Sequence, residues 1–204
     1  MVFRKCWYFL SKSSQFQVKQ LKIKAMKTTK RLVNESIYYH GTVLPKSNPN
    51  IDKFKSKVGY RGNQMMGISR EVNSPWVFFT DSYDLARQFG SAKTDGLYHD
   101  KGDFSHQTVV LKYEINESDL SILDLTTNDY EFKLEEIGIK LWELYGVGMY
   151  KQDEMWDLLD DEEISNVIIK SGINAVKLIE NGTGYNGKSL AIHISKVNNV
   201  IKKI

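Results

Sequence analysis

The first residue in this chain with a side chain suited to chemistry in a suggestive setting is a histidine at the end of an apolar run. Ile37-Tyr38-Tyr39-His40-Gly41-Thr42 is rich in residues that suit a pleated, half-buried surface. It reads as a strand presenting the His40 ring at a cleft edge, with Gly41 where a ligand or another backbone must come close. A ring so placed can bind a polar ligand or move a proton. A lone histidine is also the ordinary half-buried ring bonded to a carbonyl.

Two further patterns bear on that choice. Pro75-Trp76-Val77-Phe78-Phe79-Thr80-Asp81 is a compact apolar run ending in a helix N-cap pair, and Ser82 to Phe89 continues as a short helix closed by Gly90. Ala86 and Phe89 then share one helix face. Gly182-Thr183-Gly184-Tyr185-Asn186-Gly187-Lys188-Ser189 fits the GxxxxGK[ST] phosphate loop, and on that basis a nucleotide triphosphatase is one alternative. The phosphate cradle works only when a helix N-terminus after Ser189 points at the anion. Leu190-Ala191-Ile192-His193-Ile194 is β-prone instead, so a glycine-rich hairpin is expected there. A zinc site is not expected, since His40, His99, His106 and His193 include no closely spaced pair. The Gly-x-Ser-x-Gly elbow of serine hydrolases is absent.

The elements that would position these groups follow in chain order. Val43 to Ser74 is polar and aperiodic and reads as a long loop bearing Arg61 and Arg70, either of which could serve an anion or a solvated surface. Ser91 to His106 reads as a second loop and Gln107 to Ile115 as a strand, with Ile122 to Leu125 a short extended piece. Apolar spacing predicts helices over Glu131 to Tyr145 and Asp153 to Ser171, with Trp142 and Trp156 as core anchors. Ala175 to Ile179 and Leu190 to Ile194 read as antiparallel strands, and Val200-Ile201 closes the chain.

With these elements assigned, the His-Gly-Thr strand, the Phe78-Phe79-Thr80-Asp81 strand end and the helix carrying Ala86 and Phe89 resemble the ADP-ribosyltransferase superfamily. The likeness is to its diphtheria-toxin-like and poly-ADP-ribose-polymerase-like branch and covers about residues 37 to 195. It implies an α+β fold with a split antiparallel sheet and flanking helices. It also implies an enzyme that transfers ADP-ribose from NAD, as co-substrate, to a macromolecular acceptor, a protein or a nucleic acid. NAD would be held by Tyr39, His40, Gly41, Thr42, Arg61, Phe78, Phe79, Thr80, Tyr83 and Phe89. Breaking the nicotinamide–ribose bond builds positive charge on the ribose, so a carboxylate beside it is the natural stabiliser. The strand position that usually carries that glutamate is Ser189 here. Glu180, at the end of Gly172-x-x-x-Val176-x-x-x-Glu180, is similar in placement to the acidic residue of small phage-type members and joins His40 as the catalytic candidate. Phe78 and Phe89 stand where tyrosines are usual, which leaves a catalytically inactive binding module of the same fold as a second reading.

Composition sets the outer bounds. The 204 residues are enough for one well-buried core. No apolar run approaches the eighteen or so residues of a membrane span. A single cysteine, Cys6, excludes an internal disulfide and points to a reducing compartment, so a cytoplasmic protein is expected, or an effector in a host cytoplasm. Of the 28 Lys/Arg, nine lie in residues 1–34 with no acid among them; the remaining 19 face 25 Asp/Glu in residues 35–204, a net of −6. A basic, weakly structured arm over 1–34 and one acidic domain over 35–204 are therefore expected, without a dedicated nucleic-acid groove.

Overall fold

The computed structural model describes residues 35–54, 59–63, 68–72, 74–146, 151–182 and 185–204. The basic arm lies outside them. Seven strands form one sheet in the order β6-β7-β8-β4-β1-β5-β9, and two more form a separate hairpin, β2 (Gly59–Asn63) with β3 (Ile68–Val72). The sheet strands are β1 (Glu35–Pro45), β4 (Trp76–Thr80), β5 (His106–Asn116), β6 (Ile122–Asp124), β7 (Ala175–Gly182), β8 (Tyr185–His193) and β9 (Ile201–Lys203). The pairs β1–β4, β4–β8, β7–β8 and β5–β9 are antiparallel, and β6–β7 is parallel. The fold is thus mixed α+β, as expected. The stretch read as a long loop carries the β2–β3 hairpin, in which Arg61 pairs with Arg70 across the strands.

Two apolar clusters sandwich the sheet. One holds Trp76, Leu123, Val176, Leu178 and Ala191 against helical residues including Leu134, Leu141, Met155, Leu158, Ile164 and Ile168. The other holds Tyr38, Phe79, Leu111, Tyr113, Ile115, Leu190 and Ile192 with Val197 and Val200. The last two belong to a short helix, Ile194–Val200.

Several helices depart from their predicted bounds, each for a local reason. The first, α1 (Tyr83–Lys101), starts where expected, with the Ser82 hydroxyl accepting from the Leu85 N–H at 3.2 Å. It runs through Gly90 and ends at Gly102, so the expected loop over residues 91–106 is largely helical. Gly90 continues the helix because the turn is pressed on the sheet: a Cβ there would stand 2.7 Å from Thr108 Cγ2 and 3.2 Å from Thr42 O. Tertiary packing here outweighs the propensity of glycine to stop a helix. Glu131 to Tyr145 divides into α2 (Tyr130–Glu136) and α3 (Leu141–Tyr145) at Gly138, whose φ of +87° no helical residue adopts. Asp153 to Ser171 divides into a 3₁₀ segment, Gln152–Leu159, and α4, Glu162–Lys170. Asp161 restarts the helix by accepting from the N–H groups of Glu163 and Ile164. Trp156 packs against the core, but Trp142 is 49% exposed and anchors nothing in it.

Candidate functional site

Register decides which side chains share a surface. Tyr39 lies opposite Thr80, Thr80 opposite Ser189 and Ser189 opposite Leu178. Directly opposed residues point to the same face and neighbours along a strand alternate. Tyr39, Thr80, Ser189 and Glu180 therefore share one face of the sheet, with Phe78 two residues before Thr80. His40, Phe79, Leu190 and Lys177 face the other way.

On the first face Glu180 is 7% exposed and Ser189 1%, and the Ser189 hydroxyl donates to Glu180 Oε2 at 2.6 Å. Thr80 is buried beside them, and its Oγ1 accepts from the Ser82 N–H at 3.3 Å. Asp81 stitches the end of β4 to β8: its N–H donates to the Lys188 carbonyl at 3.0 Å and its Oδ1 accepts from the Lys188 N–H at 2.9 Å. The edge of the Tyr39 ring meets Tyr83 at 5.7 Å, and Tyr83 is exposed. Gly41 lies on this face too, under α1, where an added Cβ would fall 1.6 Å from the Ala86 carbonyl oxygen. The close approach that the glycine permits is thus made by the chain's own helix. Thr42 lies under Gly90 of the same helix, and Phe89 is half-buried on it. Phe78 packs against the helical layer.

On the second face the His40 ring is half-buried, with Nδ1 2.7 Å from the Phe78 carbonyl oxygen. A carbonyl only accepts, so Nδ1 carries the hydrogen and the tautomer is set. Three rings surround the same place: Phe54 meets His40 edge-on at 5.0 Å, and Phe79 and Tyr113 complete the cluster at centroid distances of 5.5–5.8 Å. Burial pushes the Tyr113 hydroxyl up to about 12. Phe54 is clamped by the Asn198 side-chain amide, which accepts from its N–H at 2.9 Å and donates to its carbonyl at 3.0 Å. Glu117 is held on this side between the Tyr38 hydroxyl at 2.8 Å and Lys177 Nζ at 2.6 Å. Burial first, and the bonded Glu117 second, push the Tyr38 phenol above its usual range.

The structure brings Tyr39, Gly41, Phe78, Thr80 and Glu180 to one face and places His40 and Phe79 on the reverse. Arg61 is in the β2–β3 hairpin. Sequence reading missed Ser189 as the partner of Glu180 and Asn198 as the clamp on Phe54; the first emerges only from the pairing of β7 with β8, and nothing local points to the second. Lys188 and Ser189 continue as strand β8, so no helix follows the phosphate-loop pattern. Among the described residues no group of three or more His, Cys, Asp or Glu could hold a metal ion, and no helix is long and apolar enough to cross a membrane. No protein-family model, curated protein or solved structure matches the chain.

Proposed function

We propose that this chain is an NAD-dependent ADP-ribosyltransferase of the toxin and polymerase type, acting as a cytoplasmic effector on a macromolecular acceptor. The observation that carries the reading is the adjacency of its three motif elements. The His-Gly-Thr strand pairs with the Phe-Phe-Thr-Asp strand, and β8, next in the sheet, holds the Glu180 carboxylate through Ser189. In this reading Glu180 faces the ribose as positive charge develops, with Tyr39, Thr80 and Tyr83 around the dinucleotide. His40 acts as a positioning residue, because its ring lies behind the strand and ties β1 to the Phe78 carbonyl.

A second reading, an inactive NAD-binding module, is favoured by the same burial of Glu180 and by the separation of His40 from it. One pair of measurements separates the two. NAD should raise the melting temperature by mass action, and Glu180→Gln should keep that shift while lowering nicotinamide release by about 100-fold. Binding without release identifies the module. A shift with ATP and Mg²⁺ but none with NAD returns the assignment to the phosphate-loop pattern.

A further inference from the structure

The layer formed by α2, α3, the 3₁₀ segment and α4 presents apolar side chains that its own packing leaves uncovered. Leu134, Ile139, Leu141, Met155, Leu158, Ile164 and Ile168 turn inward to the sheet. Phe132 is 62% exposed, and Trp142, Leu144 and Tyr145 are exposed with it. Scattered single apolar residues are normal on a surface, but four within fourteen residues, three of them on the five-residue α3, call for an occupant.

Charge states what that occupant is. Residues 129–163 contain twelve Asp/Glu against three Lys. Glu154 and Asp157 are exposed. Burial first, then the charges of Asp157, Asp161 and Glu154, push the Tyr145 phenol upward. The molecule also shows how a cation sits here. Lys140 Nζ lies 5.5 Å from the centre of the Trp142 ring while bonded to Glu143 Oε1 at 2.8 Å, so an ammonium is held at once by an aromatic face and by a carboxylate.

We propose that the α2–α3 face docks a Lys/Arg-rich segment of a partner protein, with Trp142 and Tyr145 as aromatic anchors, the surrounding carboxylates as rim, and Lys140 as a resident cation that the incoming one displaces. A net-acidic rim repels nucleic acid and anionic lipid. The inference concerns binding and stands apart from NAD chemistry.

The test measures anisotropy of a labelled 20-residue Lys/Arg/Ala peptide with the full chain at 150 mM salt, against the same peptide with Glu at its basic positions and against duplex DNA. Only the basic peptide should bind. Trp142→Ala and Tyr145→Ala should each weaken it about tenfold, as hot-spot anchors do. Lys140→Ala should tighten it, and Glu154→Gln with Asp157→Asn should weaken it and flatten its salt dependence. Hydrogen exchange on the parent protein, which needs no variant to fold, should show peptide protection within 130–145. Three results would each overturn the inference: equal binding of the acidic peptide or DNA, unchanged affinity in both aromatic variants, or protection confined elsewhere. Self-association through this face that the basic peptide cannot dissolve would assign it to a second copy instead.

Discussion

On one side of the central sheet Thr80, Ser189 and Glu180 bury oxygen atoms that hydrogen-bond to one another or to nearby backbone; on the other, Phe79, Leu190 and Ile192 bury carbon in one apolar cluster, with Phe79 against the His40 ring. The strands are the same and only the alternation differs. An apolar face accepts many substitutions of similar volume. A polar one fails as soon as a partner is lost, because a buried carboxylate without its donor bears its full desolvation cost. That makes the polar patch of Thr80, Ser189 and Glu180, beside the apolar core on the same face, the expensive one to keep.

Substitutions that touch one face at a time test this contrast. The largest effect belongs to Gly41→Ala, because a Cβ overlapping the Ala86 carbonyl forces α1 off β1. A loss of more than about 3 kcal/mol is expected by chemical denaturation, and a loss under about 1 kcal/mol would mean that the helix is not seated on the strand. Next comes a pair of small changes on β8. Ser189→Ala strips a donor from Glu180 and should cost about 1–3 kcal/mol, whereas Ile192→Val on the apolar face should cost about 0.5–1.5 kcal/mol. The contrast sharpens if Ser189→Ala also lowers nicotinamide release, and it breaks if the two variants are equal in both readouts.

The smallest effect concerns pH. Burial against Trp76, whose ring lies 5.4 Å away, lowers the pKa of His193 below its ordinary 6.5. The folded state then resists protonation that the unfolded chain accepts, so more protons are bound on unfolding and stability falls as pH drops below about 6.5. His193→Asn keeps an acceptor for the Ser195 N–H and should flatten that part of the melting-temperature profile between pH 7.5 and 5.5. A profile identical to the parent's would remove His193 from the account.

Strand existence was legible wherever β-prone runs stood between breakers: β1, β4, β5, β7 and β8 fall where Ile37–Thr42, Trp76–Asp81, Gln107–Ile115, Ala175–Ile179 and Leu190–Ile194 place them. Helix ends were less legible, because Gly90 and Gly138 carry the same letter with opposite outcomes. One is pressed into β1 inside a helix and the other breaks a helix with a positive φ. The candidate site was legible as motifs and hidden as a surface. His40 and Glu180 can be picked from the chain, but only cross-strand register reveals that they face apart. Trp142 misled because apolar spacing cannot tell an inward from an outward aromatic on a five-residue helix.

The clamp on Phe54 sets an order in time. Asn198 follows Phe54 by 144 residues, so during synthesis the amide clamp on Phe54 cannot form until residue 198 has emerged. β9, which closes the edge of the sheet against β5, arrives later still. The catch on the ring over His40 consequently forms late, and a chain ending before residue 198 would lack β9 and leave that ring unlatched.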